Sequence, residues 1–174
     1  MKAVNEAMAN QPRILVAGIG NIFLGDDAFG VEVAQRMAGR ALPGGVCVRD
    51  FGIRGFDLAY AILDGYDLTI LVDAVARGGE PGTLYVIEPD LNANSGERQI
   101  ETHNIDPVTV LNLVRTLGGE PQRILVVGCE PATFGPENEG QMGLSVPVAT
   151  AIDEAVRLVE ELLARETGAL AGTA

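Results

Sequence analysis

The sequence predicts an α/β fold: a three-layer sandwich with a mostly parallel, five-stranded twisted sheet, one antiparallel strand, and helices on both faces. Apolar runs of strand length alternate with segments of helical periodicity along the 174 residues. Neither an internal repeat nor a linker interrupts this alternation. One connection between two strands is too short for a crossover helix, which makes one strand antiparallel.

The first half of the chain predicts two strands and two helices. Residues 13–18 (RILVAG) form a continuous apolar run, as in a strand buried on both faces. Residues 27–41 follow with apolar side chains at mostly helical spacing, and Asp26 or Asp27 is placed to cap this helix. A second strand is predicted at 46–51 (VCVRDF), before a short amphipathic helix at 55–63 (GFDLAYAIL).

The second half predicts three strands and two helices. A buried strand at 67–74 (DLTILVDA) carries Asp73 near its end, and the short link VARGGEP makes the next strand antiparallel. A polar stretch with the single histidine, His103, precedes a helix that has proline in its first turn. The remaining predicted elements are strands 82–87 and 123–129 and helices 107–117 and 146–165.

Composition predicts one domain at 13–166, a flexible tail at 1–12, and a tail at 167–174 that frays. The formal net charge of −12 argues against nucleic-acid binding, which needs clustered basic residues. No apolar run is long enough for a membrane span, and the first dozen residues lack a secretory signal. The only cysteines, Cys47 and Cys129, lie in predicted strands without a disulfide framework, which favours a cytoplasmic location.

The segment GIGNIFLGDDAFG, residues 18–30, joins the first strand to the first helix. A dinucleotide fingerprint requires a third glycine where this chain has Phe23. The two carboxylates at the helix start would also repel a phosphate. A nucleotide-binding α/β domain is therefore a weak alternative.

The polar residues at the predicted sheet edge suggest other chemistry. Asp27 and Asp73 follow or end parallel strands, and His103 lies in a nearby loop. Taken singly, Asp73 fits a structural hydrogen bond as well as a metal contact, and His103 fits an ordinary loop histidine. Together, two carboxylates and an imidazole suit a borderline divalent metal such as zinc or nickel. Neither H-E-x-x-H nor G-x-S-x-G is present, so the common zinc-protease and serine-hydrolase classes are disfavoured.

Four segments in order resemble the endopeptidases that mature the large subunit of nickel–iron hydrogenases. They are GIGNIFLGDDAFGVEVAQRM, LVDAVARGGEPGTLYVIEP, THNIDPVTVLNLV, and VVGCEP followed by GLSVPV. The resemblance covers about residues 13–163 and implies the same layered fold. Some relatives have glutamate where this chain has Asp27.

The resemblance implies that Asp27, Asp73 and His103 are both the catalytic and the nickel-contacting residues. The nickel belongs to the partner, a hydrogenase large-subunit precursor, from which a short carboxyl-terminal extension is removed after metal insertion. Water activated by the metal and a carboxylate base are both compatible with such a site. A nickel-sensing chaperone that does not cleave is the alternative within this fold. Asp26 is expected to cap the helix or support the histidine, and Glu130 to accept a hydrogen bond from a loop amide.

Overall fold

The computed structural model describes residues 11–90, 107–136 and 139–171. Its strands are β1 (Ile14–Ile19), β2 (Val46–Gly52), β3 (Leu68–Ala74), β4 (Leu84–Ile87) and β5 (Arg123–Cys129). Its α-helices are α1 (Phe29–Met37), α2 (Gly55–Leu63), α3 (Pro107–Thr116) and α4 (Val146–Ala171). A single 3-10 turn, Gly25–Ala28, precedes α1.

The five strands form one sheet in the order β2-β1-β3-β5-β4. β1 pairs in parallel with β2 and β3, β3 pairs in parallel with β5, and β4 runs antiparallel to β5. The predicted fold class is therefore confirmed, including the antiparallel strand. In the register, Gly18 lies beside Val72, and Asp73 lies beside Gly128. The carboxyl ends of the parallel strands consequently meet at one edge, where ligands bind in such sheets.

Helices cover both faces of the sheet, and alternate residues of the strands face each layer. Helices α1 and α4 pack on one face, where Ile70 and Val72 contribute to the core. Helices α2 and α3 pack on the other face, together with Leu71. Because side chains alternate along a strand, Asp73 projects toward the same side as Leu71. Every residue of β3 is buried, as its continuous apolar sequence predicted.

The largest differences between predicted and observed helix bounds lie at the carboxyl-terminal ends of α1 and α4. Helix α1 ends at Met37 instead of residue 41, because the chain turns there and the Arg40 amide donates to the Met37 carbonyl. Helix α4 continues to Ala171, past residue 165, where the sequence predicted its end. The fraying predicted from Thr167 stays a prediction. The Thr167 hydroxyl bonds back to the Leu163 carbonyl at 2.8 Å within the continuing helix. Residues 1–10 and 172–174 of the predicted tails lie outside the described residues.

The two cysteines occupy strands and are free. Cys47 is partly exposed, whereas Cys129 is fully buried. Burial, followed by the nearby charges of Asp26 and Glu130, raises the pKa of the Cys129 thiol to about 12. The thiol therefore stays protonated and packs as a small apolar group. Among the described residues, no helix is long and apolar enough to cross a membrane.

Candidate active site at the carboxyl edge of the sheet

Two glycines bring α1 unusually close to the sheet. A Cβ atom on Gly30 would lie 2.0 Å from the Val72 carbonyl oxygen and 2.4 Å from the Ile19 carbonyl oxygen. A Cβ atom on Gly18 would lie 2.3 Å from the Gly30 carbonyl oxygen. Gly30 thus permits the close helix–strand packing that the third glycine of a dinucleotide fingerprint provides elsewhere. This close contact could have been suspected from the sequence, because a glycine inside a helical pattern is often there for packing.

Asp27 lies on the 3-10 turn directly after β1 and is only 7% exposed. The Asn21 amide donates to Asp27 Oδ2 at 2.6 Å. Gly20, between β1 and the turn, has φ of 138°, and a Cβ there would lie 1.7 Å from the Asp27 carbonyl oxygen. The glycine therefore allows the chain to fold tightly back over the turn, which orients the Asp27 carboxylate.

Asp73, the predicted partner of Asp27, lies near the carboxyl end of β3 and is 6% exposed. Its Oδ1 accepts the Ala74 amide at 2.9 Å. The 3-10 turn that carries Asp27 contacts β3. The structure therefore places both aspartates, buried, at the same edge of the sheet, as the sequence predicted.

His103 lies outside the described residues, so its predicted place in the site stays a prediction. The next described residue along the chain is Pro107, where α3 begins on the face toward which Asp73 projects. Within the described parts of the chain, no group of three or more histidine, cysteine, aspartate or glutamate residues could hold a metal ion. A three-residue site accordingly needs a ligand from beyond those parts.

Neither Asp26 nor Asp27 caps a helix, so that expectation is wrong. The turn and α1 both begin without a side-chain capping hydrogen bond. The reason is that both aspartates lie inside the 3-10 turn, from which their carboxylates reach other segments. Asp26 is fully buried and accepts hydrogen bonds from residues more than a hundred positions away.

Glu130 follows β5 and organises the loop after β3. Its carboxylate accepts the amides of Arg77 at 2.8 Å and Gly78 at 3.1 Å, which confirms the predicted loop-amide contact. The Tyr85 hydroxyl also donates to it, at 2.8 Å. The Arg77 guanidinium lies 5.5 Å from the centre of the Tyr85 ring. Glu130 therefore ties the loop to β4.

The same contacts set the charge state of Glu130. Burial opposes ionisation, but the Arg77 amide, the Tyr85 hydroxyl and the amides of Gly79 and Gly78 outweigh it and lower the pKa of this carboxyl. The hydrogen bond to Glu130 in turn raises the pKa of Tyr85. At neutral pH the pair is thus a carboxylate and a neutral phenol.

Replacing Glu130 with Gln should lower the free energy of unfolding by about 1–3 kcal/mol at neutral pH, because the amide group of this buried side chain would face hydrogen-bond donors. A lowered folded-state pKa stabilises the fold above the unfolded-state pKa, and this stabilisation disappears as the pH falls through the folded-state value. The gap in melting temperature between wild type and Glu130→Gln should therefore narrow in acid. Thermal melts over a pH series measure it, with exposed Glu161→Gln as the control. A gap that stays constant with pH would contradict this role.

Comparisons with known proteins match the sequence of this chain to one family. A family model described as HycI, hydrogenase maturation protease, matches residues 31–162. The hydrogenase 2 maturation protease of Escherichia coli K12 is 31% identical over 157 residues, which are 90% of this chain and 93% of that protein. A putative hydrogenase maturation protease of Methanocaldococcus jannaschii is 33% identical over 147 residues, 84% of this chain and 93% of that protein.

Solved structures agree with the sequence comparison. The hydrogenase maturating endopeptidase HybD from E. coli superposes with a TM-score of 0.70 at 30% identity, covering 88% of this chain and 93% of that chain. The [NiFe] hydrogenase maturation protease HycI from Thermococcus kodakarensis gives a TM-score of 0.64 at 27% identity, covering 92% and 98%. The enzyme class named by these relatives is a peptidase, which disfavours both the non-cleaving chaperone and the nucleotide-binding domain. The chain belongs to the hydrogenase maturation protease family.

Proposed function

We propose that this peptidase removes a short carboxyl-terminal extension from a hydrogenase large-subunit precursor, and that it recognises nickel already bound to that precursor. Family membership supports the precursor as the partner. The observation that carries the proposal is the pair of buried carboxylates, Asp27 and Asp73, at the carboxyl edge of β1 and β3.

The nickel is part of the substrate in this proposal. We assign Asp27, Asp73 and His103 as its contacts and as the catalytic residues. Two carboxylates and one imidazole are donors that suit a borderline divalent ion. The burial of both aspartates fits this use, since a carboxylate removed from water binds a cation more strongly than an exposed one.

The residues around the site would fix its geometry before the precursor arrives. The Asn21 amide orients Asp27, and the Ala74 amide orients Asp73. A metal held by the precursor and contacted by these carboxylates would anchor the adjacent peptide bond at the site. A precursor without nickel would lack this anchor, so cleavage would wait for metal insertion.

A cytoplasmic location completes the proposal. Both cysteines are free, and Cys129 is buried inside the sheet, as is common for proteins of a reducing compartment.

The proposal predicts that nickel in the precursor controls cleavage. Purified protein should convert nickel-loaded precursor to a product shorter by the extension, and leave the nickel-free precursor intact. Intact-mass spectrometry measures the product, and a large subunit that already lacks the extension is the control for unspecific proteolysis. Equal cleavage of loaded and nickel-free precursor would refute nickel recognition, and cleavage of neither would refute the assigned activity.

A further inference from the structure

We infer that Asp26 is a positioning residue. Its hydrogen bonds hold the turn that carries Asp27 against segments 131–136 and 139–145. The inference rests on the proposed function, because it gives Asp26 a role in the site formed by Asp27. It replaces the capping role expected from sequence. Asp26 itself makes no contact with the substrate in this scheme.

The Asp26 carboxylate accepts four hydrogen bonds from two separate parts of the chain. Oδ2 accepts the amides of Ala132 at 2.7 Å and Thr133 at 3.0 Å, and also the Ser145 hydroxyl at 2.9 Å. Oδ1 accepts the Ser145 amide at 2.6 Å. The side chain is 0% exposed. One buried carboxylate therefore joins the β1 turn, the segment after β5 and the residue before α4.

Backbone hydrogen bonds of Asp26 and of the residues before it join the same segments. The Asp26 amide donates to the Thr133 carbonyl at 3.0 Å, and the Gly25 amide donates to the Gln141 carbonyl at 2.7 Å. The Gln141 amide donates to the Phe23 carbonyl at 2.8 Å. The turn therefore cannot move relative to these segments without breaking several bonds together.

The contact pattern requires a carboxylate. All four partners are donors, and both oxygens of Asp26 accept. In asparagine the amide nitrogen would replace one oxygen and face a donor, leaving at least one backbone amide without its acceptor. The buried charge is compensated by these donors and by its place near the amino end of α4, where the helix dipole favours an anion.

Asp27 is the next residue of the same turn, so its position depends on the hydrogen bonds that Asp26 accepts. The Asn21 amide donates to Asp27 Oδ2 at 2.6 Å, which links this carboxylate to the segment that precedes the turn. If the turn loosens, the Asp27 carboxylate shifts relative to Asp73 across the site. Displacements of about 1 Å can cost about 100-fold in rate. Substitutions behind a contacting residue typically cost about 10–100-fold in metal affinity or activity.

The test compares three variants of the full chain. Asp26→Asn removes the charge, and Ser145→Ala removes only the hydroxyl while keeping the Ser145 amide. Asp67→Asn is the control. Asp67 is exposed, but it also accepts a distant backbone amide, that of Arg13 at 2.8 Å, at the opposite edge of the sheet. Two quantities are measured: kcat/KM for nickel-loaded precursor, and the Kd of the purified protein for Cd²⁺ by calorimetry.

Asp26→Asn should lower kcat/KM and weaken Cd²⁺ binding, each by about 10–100-fold. Ser145→Ala should lower both by a smaller factor, and Asp67→Asn should change neither. A lower melting temperature for Asp26→Asn with wild-type kcat/KM and Kd would overturn the inference, since Asp26 would then be structural only. If Asp26→Asn does not fold, Ser145→Ala decides, and wild-type values for it also overturn the inference.

Asp27→Asn separates this inference from the proposed function. If Asp27→Asn cleaves precursor and binds Cd²⁺ as wild type does, the proposed site itself is wrong, and the role of Asp26 falls with it. If Asp27→Asn is inactive while Asp26→Asn behaves as wild type, only the positioning role is wrong.

Discussion

Replacing His103 with Ala should abolish processing of the nickel-loaded precursor while leaving the fold intact. The resemblance assigns this imidazole as the third contact, beside the two buried aspartates. His103 lies in a polar stretch of the sequence, so its replacement should cost little stability. Removal of a group that acts on the substrate should lower the rate by about 100-fold or more. Intact-mass spectrometry measures the cleaved fraction, and circular dichroism checks the fold.

Asp27→Asn and Asp73→Asn should give the same loss, because the substituted amides keep the size but not the charge of the carboxylates. Asp153→Asn is a suitable control, since Asp153 is an exposed residue of α4 that pairs with Arg36. Near-normal cleavage by His103→Ala would show that the assignment of His103 to the site is wrong. Loss of cleavage with Asp153→Asn would indicate that surface charge, and not the site, limits processing.

Replacing Gly30, the one glycine of α1, with Ala should lower the free energy of unfolding strongly. The added methyl group would meet the carbonyl oxygens of Val72 and Ile19 at 2.0 and 2.4 Å, and these backbone atoms cannot rotate away. Helix α1 would have to move off β1 and β3. We expect a loss of about 3 kcal/mol in the free energy of unfolding, which lowers the melting temperature by about 6–12 °C.

Gly39→Ala provides the control for this substitution. Gly39 follows the same helix, and a Cβ atom there would meet nothing within 4 Å. Its effect should stay within about 0.5 kcal/mol. Denaturant unfolding of both variants makes the comparison, and equal stabilities would show that the close contact at Gly30 relaxes without cost.

The sequence predicted those parts of the fold that depend on local patterns. The apolar run of β3 is buried on both faces, so its strand could be recognised from composition alone. The short link after Asp73 predicted the antiparallel β4 because it leaves no room for a crossover. Both aspartates of the candidate site could be placed for the same reason, since each follows or ends a recognisable strand.

The parts that could not be predicted depend on contacts between distant segments. The hydrogen bonds from Ala132 and Ser145 to Asp26 join residues 106 and 119 positions apart, and no local pattern encodes such pairs. A capping role was expected for Asp26 because local preference favours it, and tertiary contacts override that preference here. The carboxyl-terminal end of α4 was also not predicted, because its last turns beyond residue 165 lack strong periodicity.

The length and direction of α4 have a practical consequence for handling the protein. Twenty-six helical residues span about 39 Å, starting next to Ser145 at the carboxyl edge. Near its far end, Glu166 pairs with Arg123, the first residue of β5, so the helix has by then reached the opposite edge of the sheet. Pro12, just before β1, lies at that same opposite edge. Affinity tags or surface tethers attached at either end of the described chain would therefore leave open the edge that carries Asp27 and Asp73.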